Sequence, residues 1–101
     1  MSVIKKAVDC ETMIDVRAGV DATDRALIQL LDDRFRYMEA AARIKPTREA
    51  VRDEARKTQV IENAKALAKT HNIPVELTEE LWEILVEGSI AFETETWDKT
   101  R

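Results

Sequence analysis

At 101 residues, with 16 Lys and Arg against 20 Asp and Glu, the chain is expected to form one domain, residues 1–101, with a modest core. A mildly acidic chain without a Lys/Arg block argues against nucleic acid and a polybasic membrane contact as partners, and the single Cys10 excludes an intrachain disulfide. Without a CxxC pair, a His cluster, an uncharged apolar run of membrane-spanning length or an apolar signal core in MSVIKKAVDC, the expectation is a reduced, cytoplasmic, soluble protein with no metal and no cofactor.

Three helices account for nearly the whole chain, so the expected class is all-α. The first is predicted from about Asp9, taken as its N-cap, to Lys45, where Pro46 stops it. The second starts near Thr47 or Arg48 and ends at about His71, with Asn72 suited to a left-handed C-terminal cap. The third begins near Pro74 or Thr78 and reaches about Trp97. No strand-type alternation interrupts them. A first helix of about 37 residues would be ~55 Å long, against a radius of gyration of about 13 Å for a compact chain of this size. A second copy is the economical cover for such a rod, so an intertwined homodimer is predicted. The alternative is a long hairpin with disordered ends.

Positions 10, 13, 16, 20, 23, 27, 31, 34, 38, 41 and 45 share one face of the first helix and read Cys, Met, Val, Val, Thr, Leu, Leu, Arg, Met, Ala, Lys. Arg34 and Lys45 thus interrupt an apolar stripe, and Arg17 lies on its shoulder. On the second helix Asp53, Arg56, Val60, Ala64 and Leu67 are predicted to share the inner face. On the third, Leu77, Leu81, Leu85, Gly88 and Phe92 are predicted as the core row, beside a strip of Trp82, Val86, Ser89, Glu93 and Trp97. The small residues Gly88, Ser89 and Ala91 permit close approach of a helix or a ligand.

Each residue has a structural explanation by itself. Arg34 can pair with Asp24 or Asp53 as a buried ion pair; Asp53 and Arg56 can form a surface pair; Ser89 can be packing and Glu93 a surface carboxylate. Together they make a pattern. Arg17, Arg34, Lys45 and Arg56 supply four inward cations, with Asp53 and Glu93 the carboxylates on matching faces. Unpaired cations are costly in a seam, and arginine suits bidentate carboxylate binding. A small, multiply anionic ligand between helices would satisfy them. With no nucleophile–base pair and no glycine-rich phosphate loop, any chemistry would need charge placement and conformational restraint alone.

The run Asp15-Val16-Arg17-Ala18-Gly19-Val20-Asp21, then Asp24, Leu27, Leu30-Leu31, Arg34 and Lys45, resembles the all-α chorismate mutases (AroQ class, type II). Val51-Arg52-Asp53, Arg56, Val86-Glu87-Gly88-Ser89-Ile90 and Glu93 fit the same pattern, which covers about residues 9–97. Asp9-Cys10, and Arg36-Tyr37 with Ala40-Ala41, resemble the family's isochorismate-pyruvate lyase branch.

The resemblance implies an intertwined dimer with two equivalent sites. Arg17 would reach into the partner's site and, with Arg34, clamp the carboxylates of a dicarboxylate substrate, chorismate or isochorismate. Lys45 would donate to the ether oxygen. Asp53 would orient the ring hydroxyl, Arg56 would complete the cationic wall, Ser89 would assist a carboxylate, and Val86 would join the substrate-binding set. Lys45, Glu93 and Arg34 would be the catalytic residues. Two positions depart from the pattern. Glu93 stands where many members carry Gln, and an acid donates only when protonated, so a protonated Glu93 is expected as second donor to the ether oxygen. Lys57 stands where many mutases have Glu, which leaves the hydroxyl to Asp53. Chorismate mutase is the first expectation, isochorismate-pyruvate lyase the second, and a non-catalytic helical interaction bundle the third.

Overall fold

The computed structural model describes residues 4–101. Three α-helices, α1 (Met13–Ile44), α2 (Glu54–Thr70) and α3 (Val75–Thr100), carry most of them, with short 3-10 turns at Ala7–Asp9 and Arg48–Val51. No strand occurs among the described residues. The chain divides into two compact units, Met1–Arg36 and Tyr37–Arg101.

In the first unit α1 begins three residues later than Asp9 would place it. Thr12 is the cap: its Oγ1 accepts from the Asp15 amide at 3.2 Å, and Asp15 Oδ2 accepts from the amides of Thr12 at 3.4 Å and Glu11 at 3.0 Å. This reciprocal box satisfies donors that the helix start leaves orphaned. The Lys5 ammonium joins at 3.2 Å. The Glu11 amide, followed by Lys5, holds the Asp15 carboxyl below the usual carboxylate range. Asp9 instead closes the preceding 3-10 turn, its N–H donating to Lys6 O at 2.9 Å. Within this unit Ile14, Val20, Leu27, Ile28 and Leu30 are exposed.

The second unit is built on a helical hairpin. Asp53 is the N-cap of α2, its Oδ1 accepting from the Arg56 amide at 3.0 Å, so α2 starts at Glu54 rather than near Thr47. The chain from Arg48 to Val51 is a separate 3-10 turn. At the other end Asn72 takes φ 57° as expected. The Ile73 amide donates back to Ala68 O at 2.8 Å and the Asn72 amide to Lys69 O at 3.3 Å, a Schellman ending. The short connection to Val75 returns α3 antiparallel to α2. The ion pairs record that direction: Lys65 meets Glu79 at 3.1 Å, and Lys57, eight residues earlier, meets Glu87, eight residues later, at 2.8 Å.

The buried faces are each rotated from the predicted ones. On α2, Ile61, Ala64 and Ala68 are buried, while Leu67 and Arg56 are exposed. Small alanines at one-turn spacing let the two helices approach closely. On α3 the predicted core row fails at Leu77 and Leu81, each about half exposed (50% and 51%). The neighbouring strip is the buried one, with Thr78, Val86, Ser89 and Glu93 all under 7% exposed and Trp82 and Trp97 half-buried. Periodicity alone ranked the leucine row first because it is more apolar. Gly88 is exposed, and a Cβ there would meet open space, so packing within the chain does not demand its small size.

Charge staples the hairpin from outside. Lys57 bonds Glu83 and Glu87, both at 2.8 Å, and Arg52 bonds Glu87 at 2.7 Å and Glu54 at 2.9 Å. Arg52 and then Lys57 hold the Glu87 carboxyl down to about 2. A depressed carboxylate contributes stability that is fully present above its unfolded value of ~4.5 and is lost as the pH falls through the folded value. Acid titration of helical circular dichroism should therefore show stability declining between about pH 4.5 and 2 in the wild type. Glu87→Gln should be less stable at neutral pH and show a shallower decline; an identical decline would remove Glu87 from the account.

Candidate active site

The first helix ends beneath α3. Pro46 cannot continue the helix, so the last carbonyls of α1 need other partners. They find them on α3 and its C-cap: Trp97 Nε1 donates to Lys45 O at 3.4 Å, and Arg101 Nη2 donates to Lys45 O at 2.9 Å and Ala42 O at 3.2 Å. The Arg101 guanidinium also lies 4.7 Å from the centre of the Trp97 ring, a cation–π contact.

The Lys45 side chain turns back to the interior of the second unit. Its Nζ donates to Glu93 Oε2 at 2.7 Å and to Val51 O at 3.3 Å. The Glu93 side chain is 5% exposed and that of Lys45 30%. A 2.7 Å bond between ammonium and carboxylate is a charge-assisted one, and the protein around Glu93 screens it little. Val86, Ser89 and Glu93 follow one another along the buried strip of α3. Ser89 Oγ donates to Leu85 O at 2.7 Å, so in the free chain its hydroxyl bonds its own helix.

Asp53 and Arg56 have other immediate roles. Both are exposed; Asp53 caps α2, and the Arg56 guanidinium donates to Gln59 Oε1 at 2.6 Å. Their i,i+3 relation is therefore a side chain on a backbone N–H rather than an ion pair. Lys57, flagged as a departure, is committed to Glu83 and Glu87. Arg17 and Arg34 belong to the first unit, Arg17 exposed and Arg34 half-buried. The residues missed in the sequence are Trp97 and Arg101 as partners of Lys45, and the Val51 carbonyl. The first two carried a signal, since 97 and 101 follow 93 at successive four-residue steps, 101 as the cap of the helix.

Residues 16–94 match the family described as chorismate mutase type II. The chain belongs to this family. It is also similar to the isochorismate pyruvate lyase of Pseudomonas aeruginosa, with 26% identity over 98 residues covering 97% of each chain. Both names are those of enzymes, and the all-α architecture of three helices is the one the resemblance implied. No helix among the described residues is long and apolar enough to cross a membrane.

Proposed function

We propose that the chain is a chorismate mutase, converting chorismate to prephenate. The observation that carries this reading is the buried Lys45–Glu93 contact at 2.7 Å. It holds a cationic donor inside a helical unit, which suits a reaction that needs charge placement and no covalent step. The rearrangement is unimolecular and pericyclic: the ether C–O bond breaks as a C–C bond forms, with no proton transferred. A protein accelerates it by holding the compact conformer and stabilising negative charge that develops on the ether oxygen.

In this reading Lys45 donates to that oxygen, and Glu93 in its protonated form is the second donor there. In the free chain Glu93 is the acceptor of the Lys45 hydrogen bond, which keeps the ammonium in place until substrate arrives. Arg34, and Arg17 from the partner of an intertwined homodimer, bind the two carboxylates. Exposed Leu27, Ile28 and Leu30 on α1, with Leu77 and Leu81 on α3, are apolar surface that such a dimer would cover. Val86 and Ser89 complete the wall; Asp53 and Arg56 serve the ring hydroxyl and the rim, from the exposed start of α2.

A second reading, isochorismate-pyruvate lyase, is favoured by the similarity to the Pseudomonas enzyme over nearly its whole length. Both reactions are served by cations around a ring dicarboxylate. Parallel incubation with chorismate and isochorismate, quantifying prephenate, salicylate and pyruvate, separates them. Prephenate from chorismate is the expected result. Salicylate and pyruvate with no prephenate would establish the second reading, and no turnover of either would leave the chain a non-catalytic bundle.

A further inference from the structure

A lysine places its ammonium through four rotatable bonds, so the donor is only as well placed as the backbone that carries it. Three of the contacts that hold Lys45 come from one strip of α3 and the C-cap residue that ends it. Glu93 takes the ammonium at 2.7 Å, Trp97 donates to the Lys45 carbonyl at 3.4 Å, and Arg101 donates to the same carbonyl at 2.9 Å. Positions 93 and 97 are one turn apart and Arg101 caps the same helix, so one face of α3 and its cap grip Lys45 at both ends. The Lys45 amide is fixed separately, donating to Ala41 O at 2.9 Å.

We infer that Arg101 and Trp97 are positioning residues for Lys45, setting where its ammonium is presented. The inference rests on the proposed role of Lys45 as donor to the substrate. Arg101 is suited to the task because its planar fork spans two acceptors, Ala42 O and Lys45 O, while its face stacks on Trp97. A lysine at 101 would keep the favourable charge at the end of α1 but lose the fork and most of the stacking. Neither side chain is assigned contact with substrate. They act through the carbonyl of Lys45.

Two readouts test this, one of them independent of turnover. The first is the side-chain ammonium resonance of Lys45 in nitrogen-15 labelled protein, assigned by its loss in Lys45→Met. Arg101→Ala should shift or broaden that resonance. Arg48→Ala, which removes the 2.9 Å bond to Asp98 on the same part of α3 and breaks no hydrogen bond to Lys45, should leave it in place. The second is steady-state kinetics on whichever ring dicarboxylate is turned over. Arg101→Ala should lower kcat by roughly 10- to 100-fold with a smaller change in KM, because a misplaced donor is felt most in the transition state. Arg101→Lys should fall between the two, Trp97→Phe should show a smaller loss, and millimolar guanidinium should restore part of the Arg101→Ala rate while leaving wild type unchanged.

An unaltered Lys45 resonance in Arg101→Ala overturns the inference whatever the kinetics show. So does a loss of the same size in Arg48→Ala, which would mean that helix-end stability alone is at work. If wild type turns over neither substrate, the functional reading fails, while the Lys45 resonance still decides whether Arg101 and Trp97 position that side chain.

Discussion

Lys45→Met should lower kcat by roughly 10²- to 10³-fold, the usual effect of removing one preorganised donor from a developing oxyanion. Methionine fills much the same space and cannot donate. The same change strands Glu93, whose side chain is 5% exposed, without its ammonium partner. Breaking a buried pair from one side is strongly destabilising. Because the lysine end is 30% exposed, a loss of about 1–3 kcal/mol is expected here. Activity and stability can then be separated. Adding Glu93→Gln to Lys45→Met removes the stranded charge and should recover much of the stability with none of the turnover. Recovery of turnover in the double variant would mean that Lys45 matters only as the partner of Glu93. Denaturant titration alongside kcat reads both quantities.

Arg34→Ala should weaken binding of any ring dicarboxylate and lower kcat/KM by roughly 10²-fold, since hydrogen bonds to charged groups contribute about 1.5–3 kcal/mol each. In the wild type, a dicarboxylate inhibitor at 100 times its dissociation constant should stabilise the fold by about 2.7 kcal/mol. Arg34→Ala should show a small fraction of that at the same concentration. Arg34→Lys distinguishes charge from geometry: a single ammonium keeps the attraction and loses the bidentate fork, so its loss should be intermediate. Equal stabilisation of wild type and Arg34→Ala would remove Arg34 from the substrate-binding set.

The helix count and the breaks after α1 and α2 were legible in the sequence because they rest on local chemistry. Pro46 stops α1, Asn72 supplies the left-handed cap, and the four residues from His71 to Pro74 leave room for nothing but a turn. The sequence places the start of α1 at Asp9; it lies three residues later, where the hydrogen bonds between Thr12 and Asp15 set it. The face that each helix buries was less accessible. On α3 a leucine row and a strip of mixed residues stand side by side, and apolarity favours the leucines. The hairpin instead buries Val86, Ser89 and Glu93, and Lys45 meets the one carboxylate of that strip.

The site divides in the same way. Helix periodicity singled out Lys45 and Glu93 separately, one as a cation ending a stripe and the other as a carboxylate on a strip, and only the family resemblance implied that they meet at one ether oxygen. Their mutual contact spans 48 residues of sequence and follows from no local spacing. Asp53 shows the opposite failure. Its spacing to Arg56 fits a helix-face pair, yet the same spacing fits an N-cap, and the orphan amide of Arg56 is the partner it takes. Lys57 is answered by Glu83 and Glu87, so its departure from the family pattern is matched by carboxylates on α3.

The central claim is that a ring dicarboxylate binds against Lys45 and the buried strip of α3. Titrating the labelled wild-type protein with a non-reactive cyclic dicarboxylate inhibitor, and following each assigned amide and the Lys45 ammonium, tests it most directly. The account predicts saturable shifts concentrated at Lys45, Val51, Val86, Ser89 and Glu93, together with Arg34 and Arg17. Shifts confined to the outer groove lined by Arg48, Arg52, Ile90 and Asp98, with Lys45 and Glu93 unmoved, would contradict it.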